Sequence, residues 1–240
     1  MSLVIETGRM KRKRGTPHQD EVYYEIHFLD ETYLKEVMQL QETIIHNLPD
    51  KEIFRQHSID YIRDHFKKEN SVLGIFTEDG LIAYNVLYFP GEDGDNFGAD
   101  IKLPNDEFDK VVHLETVAVH PDYRGNSLQK RMEEIHLGVI KKLGYIHVCC
   151  TVSPKNFPSI RNLFSNGLVI KGLKIKFGNR LRYIMYRNIL NSSSIWPLEI
   201  RVSSLNIEYQ VDLLNRGFLG YKATELPEGF GICYGKEQVS

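Results

Sequence analysis

The stretch "VVHLETVAVHPDYRGNSLQKRMEEIHLGVIKK" constrains the fold more than any other part of the chain. Its first nine residues, Val111–Val119, are apolar and β-branched and read as a strand. A polar turn with Arg124 and Gly125 follows, and then Leu128, Met132, Ile135 and Val139 recur at helical spacing. Gly144 fits the position just past the C-cap of that helix, and "YIHVCCTV" reads as a second strand. A strand, a turn, a helix and a strand in this succession predict a mixed α/β sheet.

The flanking segments extend the same plan. "VYYEIHFL" alternates as a strand does, and Asp30 is placed to cap a helix carrying Leu34, Val37, Met38, Ile44, Ile45 and Leu48 up to Pro49. A second helix is expected from Lys51 to Lys68. "SVLGIFTEDGLIAYNVLYF" predicts a hairpin, because Asp79-Gly80 suits a tight antiparallel turn. The loop "PGEDGDNFGADIKLPNDEFDK" holds seven carboxylates (Glu92, Asp93, Asp95, Asp100, Asp106, Glu107, Asp109) against Lys102 and Lys110. A solvated surface explains it, and so does attraction for a cationic substrate.

Beyond the central strands, "SPKNFPSIRNLFSNG" predicts a short helix ended by Gly167, and the next segment gives two strands around a Gly-Asn turn. "LNSSS" reads as a linker to a small strand-helix-strand-strand appendage with Ile207, Leu213 and Leu214 as a minor core. No internal repeat is visible. The expected organisation is a flexible basic tail over residues 1–19, a main domain over 20–190 and an appendage over 196–240.

Composition narrows the function classes. In 240 residues, 42% hydrophobic and 26% charged side chains are those of a soluble globular protein. A formal charge of −2 is a poor match for nucleic acid, although five basic residues crowd Arg9 to Arg14. That run reads as a solvated tail. The three cysteines form neither a disulfide framework nor metal-ligand spacing, so no metal is expected, and a reducing, cytoplasmic compartment is. No run of eighteen apolar residues suggests a membrane span.

Taken alone, Arg124-Gly125-Asn126-Ser127 has two readings. Free N–H groups of the coming helix, the helix dipole and Arg124 together suit an anion such as phosphate. Alternatively Asn126 is an N-cap and Gln129 its partner in a capping box, with no ligand involved. The lysine-bearing phosphate loop and the three-glycine dinucleotide fingerprint are both absent, so neither ATP nor NAD is indicated.

"HLETVAVHPDYRGNSLQKRM", the strand "YIHVCCTV", the segment "SPKNFPSIRNLFSNGL" and the strand "RLRYIMYRNI" together resemble the GNAT N-acetyltransferase superfamily, over roughly residues 20–190. The resemblance implies an acyl-CoA N-acyltransferase fold. It implies that the backbone of Val117, Ala118 and Val119 faces the pantetheine arm, with the oxyanion held near Val117. It also implies that Arg124, Gly125, Asn126, Ser127, Leu128 and Gln129 hold the pyrophosphate of acetyl-CoA. Ser127 and Gln129 stand where the family uses glycine or another small residue. Asn156 matches an asparagine that bonds the CoA arm, and Phe164 stands where a tyrosine commonly protonates the departing thiolate.

For the base, Glu115 matches the family position and His113 lies two residues earlier on the same strand. The chemistry needs one. A lysine-like ammonium is neutral in only about 0.04% of molecules at pH 7, so freeing its lone pair costs about 4.6 kcal/mol. Cys149 and Cys150 read as small buried hydrophobes. The implied activity is acetyl transfer from acetyl-CoA to a primary amine, with a small cationic acceptor favoured by the acidic loop. The alternative is a non-catalytic acyl-CoA-binding regulator. The appendage would cover the acceptor cleft or form a homodimer contact, and its residues do not decide between these.

Overall fold

A computed structural model of the protein describes residues 3–13, 20–91, 95–191 and 194–239. Of the residues singled out in the sequence, Arg14, Glu92, Asp93, Ser192 and Ser193 lie outside the described residues. In chain order the elements are β1 Val4–Arg12, β2 Asp20–Phe28, α1 Leu34–His46, α2 Ile59–Phe66, β3 Val72–Thr77, β4 Gly80–Tyr88, α3 Phe97–Asp100, β5 Val111–Val119, α4 Leu128–Lys142 and β6 His147–Val152. They continue with α5 Phe157–Ser165, β7 Val169–Lys176, β8 Arg180–Asn188, β9 Ser194–Ile195, β10 Ile200–Ser203, α6 Ile207–Asn215, β11 Leu219–Leu226, β12 Gly229–Gly235 and β13 Gln238–Val239. The class is mixed α/β, as the sequence predicts.

The chain divides into two compact units, one of Met1–Tyr88 with Leu114–Val139 and one of Phe89–His113 with Ile140–Ser240. The division does not follow the linker expected at Leu190–Ser194. In the first unit the strand order is β1-β2-β3-β4-β5. Two apolar clusters fill it. Ile26, Leu73, Ile75, Tyr123 and Met132 form one, and Val37, Ile44, Ile62, Val72 and Tyr84 form the other with α1 and α2.

Within the segment expected as a flexible tail, Val4–Arg12 form a strand in this unit. β1 pairs antiparallel with β2 from Glu6↔Ile26 to Arg12↔Asp20. Period-two alternation explains how so basic a run is accommodated. Met10 and Arg12 turn inward while Arg9 and Lys11 face solvent. The Arg12 guanidinium is then met by Glu78 at 2.6 Å and Asp79 at 3.0 Å. The second helix is also shorter than expected. Asp50 caps a single turn over Lys51–Ile53, and the chain is then irregular until Ser58, whose Oγ accepts from the Tyr61 N–H and starts α2.

In the second unit the strand order is β5-β6-β8-β7-β11-β12-β10. From β6 onward this order is a palindrome, and it records an internal duplication that the sequence does not advertise. Residues fifty apart play the same part. Asn156 caps α5 by accepting from the Ser159 N–H, and Asn206 caps α6 by accepting from the Tyr209 N–H. Gly167 and Gly217 both take positive φ just beyond those helices. The amides of Leu168 and Phe218 donate to the carbonyls of Leu163 and Leu213, both at 3.0 Å. β7 slips register between Ile170 and Gly172, and β11 between Gly220 and Lys222. The equivalent residues Ile170 and Gly220 pair with each other, which puts a local two-fold axis at that point. Packing is reciprocal as well: α5 lies on β11 and α6 on β7. The segment read as an appendage is therefore a second copy of β6-α5-β7-β8, continuing the same sheet.

Candidate active site

β5 carries the central group. Its Glu115 side chain is only 6% exposed. A buried carboxylate must be paired or hydrogen-bonded, and two residues ahead of and within α2 do this. The Tyr61 hydroxyl donates to Glu115 Oε1 at 2.9 Å, and Arg55 Nη1 reaches the same oxygen at 3.2 Å. Burial, followed by the charge and hydrogen bond of Glu115, raises the Tyr61 pKa, so the phenol stays protonated. His57 stacks on Tyr61 with ring centroids 4.5 Å apart, and His65 sits 4.6 Å away on the same ring.

A buried polar chain braces this cluster. Gln41 bonds both backbone groups of His57, at 3.0 and 2.9 Å, and His57 Nε2 lies 2.9 Å from Thr116 Oγ1. Asn85 donates to the Thr116 carbonyl at 3.0 Å and meets His136 Nδ1 on α4 at 2.5 Å. Burial pushes His57 and His136 down to about 3, so both rings are neutral struts. Arg55, His57 and Tyr61 escape the sequence reading because the expected helix runs through them. The legible signal was Ser58, a favoured N-cap three residues before Tyr61.

His113 is not available as a base. It is fully buried, its ring stacks on Phe97 at 4.0 Å, and Nε2 accepts from the Phe97 N–H at 3.1 Å. Burial, aided by Lys176, depresses its pKa to about 3.

The turn before α4 departs from the capping-box reading. Asn126 faces β1: its amide donates to the Lys11 carbonyl at 2.7 Å and accepts from the Lys11 N–H at 3.0 Å. It also donates to the Tyr123 carbonyl at 2.9 Å. Gln129 lies along the helix and donates to Glu133 at 2.8 Å. Gly125 and Ser127 both have positive φ, +92° and +57°. The left-handed geometry is natural for Gly125 and strained for Ser127. Leu128 begins α4 and is buried. Arg124 is half-buried and anchored through Nε to the Val119 carbonyl at 3.3 Å. On β5, Ala118 packs in the core with α1 and α2, while Val117 and Val119 pack against the other apolar cluster.

Asn156 caps α5 and Asn206 caps α6 in the same way, each after a turn in which its own N–H donates to the carbonyl of Ser153 or Ser203. Cys149 and Cys150 are buried, and burial pushes Cys149 up to about 12, which leaves it a thiol. Two acidic-loop carboxylates are held locally. Asp100 pairs with Lys174 and Lys176, and Glu107 with Lys110 and His147. Among the described residues no group of three or more His, Cys, Asp or Glu could hold a metal ion. No helix there is long and apolar enough to cross a membrane.

No protein-family model matches the sequence, and no curated protein is significantly similar to it. Solved structures do match. yncA of Salmonella typhimurium, solved with its cofactor acetyl-CoA, shares 17% identity and a TM-score of 0.51, over 69% of this chain and 94% of that one. Ard1 of Thermoplasma volcanium shares 13% identity at a TM-score of 0.53, over 69% and 97%. A GNAT family acetyltransferase of Listeria monocytogenes shares 14% at a TM-score of 0.51, over 70% and 95%. The protein thus has the GNAT acetyltransferase fold.

Proposed function

We propose that the protein transfers an acetyl or other short acyl group from acyl-CoA directly to a primary amine, with Glu115 as general base. The observation that carries this reading is the buried Glu115 carboxylate, set by Tyr61 and Arg55 on the strand that runs into the Arg124-Gly125 turn. The same fold in yncA is solved with acetyl-CoA, which supports the choice of co-substrate.

The residues divide the work. Amides of the turn from Gly125 to Gln129 and the Arg124 cation hold the pyrophosphate. Backbone groups of Val117 to Val119 take the pantetheine arm, and an N–H near Val117 stabilises the oxyanion. Glu115 removes a proton from the acceptor ammonium. The freed nitrogen attacks the thioester carbonyl, the C–S bond breaks, and the thiolate leaves. A thiol pKa near 8.5 makes the thiolate only about 2 kcal/mol less stable than its acid at pH 7, so water can protonate it in the absence of a tyrosine at Phe164. Two carboxylates of the acidic loop, Asp100 and Glu107, are already paired within the chain.

Calorimetric titration with acetyl-CoA tests the binding half. Arg124→Ala should weaken affinity roughly tenfold or more, the value of a charge-assisted contact, and Glu115→Gln should leave it unchanged. Undiminished affinity in Arg124→Ala would remove the turn from the site.

A further inference from the structure

The second unit holds a cavity of about 260 Å³ at the junction of the two repeats. Phe164, Tyr186, Arg187, Trp196, Tyr221 and Glu237 line it. It lies far along the ladder from the α5 N-cap. β6 and β8 pair from Val152↔Tyr183, beside the Ser153–Asn156 segment, to His147↔Asn188, and the cavity is at the latter end. The duplication does not reproduce it. By strand register the counterparts of Tyr186 and Arg187 are Gly235 and Lys236, and Trp196 comes from the segment that joins the copies.

The chemistry of the lining is selective. Arg187 is half-buried, and its described partner is a neutral one, the Asn166 carbonyl at 2.5 Å from Nη1. Its guanidinium fork passes close to Gly167, where even a Cβ would come within 3.5 Å of it. Burial lowers the Arg187 pKa. A cation partly withdrawn from water and bonded to a neutral carbonyl is stabilised by an anion, and a planar fork matches a carboxylate. Aromatic rings share the lining with polar side chains, Asn188, Asn191 and Glu237 among them. Trp196 and Tyr221 stack in parallel at 4.4 Å, and Phe164 and Tyr186 also line the cavity. The volume admits one small molecule rather than a drug-sized ligand.

We propose that this cavity is a binding site for a small aromatic carboxylate, with the carboxylate on Arg187 and the ring among Trp196, Tyr221, Phe164 and Tyr186. The class covers simple aromatic acids and aromatic amino acids, whose ammonium would meet Glu237. The site lies within the second unit.

Trp196 is the sole tryptophan of the chain, so its emission reports the cavity directly. The full chain is titrated with 3-phenylpropionate, L-phenylalanine and phenethylamine, following fluorescence and, in parallel, heat. Both carboxylates should bind and change the emission, while phenethylamine should do neither. Arg187→Gln should weaken carboxylate binding roughly ten- to a hundredfold, with an unchanged thermal midpoint in the absence of ligand. If that variant melts early, Trp196→Ala followed by heat alone takes its place and should also bind more weakly. Tighter binding of L-phenylalanine assigns an amino acid, and tighter binding of 3-phenylpropionate assigns a simple acid. No binding of either carboxylate at millimolar concentration, binding of phenethylamine alone, or full affinity in the folded variants would overturn the proposal.

Discussion

At the scale of single residues, the proposed chemistry turns on Glu115 and its two partners, Tyr61 and Arg55. Glu115→Gln should lower kcat by about 10²–10⁴-fold, the usual worth of a general base, without altering acetyl-CoA affinity. The buried histidines make a second prediction, about stability. His57, His113 and His136 are each held down to about 3 in the folded chain, chiefly by burial, whereas an unfolded imidazole titrates near 6.5. The stability contributed by keeping them neutral is complete above about pH 6.5 and is lost as pH falls from there toward 3. Each histidine adds a slope of about 1.4 kcal/mol per pH unit in that window. Urea midpoints should therefore drop clearly between pH 7 and pH 5, and a flat profile would contradict the burial. The strand and turn residues of the site were legible in the sequence because period-two spacing and a strand–turn–helix boundary leave local marks. Arg55 and Tyr61 were not, since nothing local says that a helix break will aim them at a strand more than fifty residues away.

At the scale of elements, short polar caps and clamps fix where each piece begins. Asn126→Ala removes three hydrogen bonds, two of which tie the turn to β1. It should cost about 1–3 kcal/mol in urea denaturation, because buried or docked backbone groups lose their partners. A loss under half a kcal/mol would mean β1 is not held there. Asn156→Ala and Asn206→Ala should each cost about 1 kcal/mol, the worth of an N-cap. A fall in acetyl-CoA affinity in the first alone would show that Asn156 also meets the CoA arm. The hairpin of β3 and β4, the β5-to-β6 run and the β7–β8 pair could be read from alternation and glycine turns. β1 could not, because its inward Arg12 hides the strand period beneath a run of charge. The duplication was hidden for a related reason. What the copies share is a cap, a left-handed glycine and a register slip, and these are set by backbone geometry that few side chains need to record.

At the scale of the molecule, the second unit joins its two copies through Ile170 and Gly220 on the local axis. A Cβ at Gly220 would sit 2.9 Å from Ile232 Cγ2 and 3.1 Å from Ile170 Cβ. Gly220→Val should therefore destabilise the chain by about 1–3 kcal/mol through overpacking, measured by thermal or urea unfolding. The GNAT fold itself is compatible with catalysis or with passive acyl-CoA binding, and one measurement separates them. Labelled acetyl-CoA is incubated with the protein and a broad panel of amines, and both acetylated amine and free CoA thiol are quantified. Acyl transfer with Glu115 as base predicts amine-dependent release of thiol matched by acetylated product, reduced about a hundredfold or more in Glu115→Gln. Binding of acetyl-CoA with no turnover on any amine, or turnover that survives Glu115→Gln intact, would contradict it.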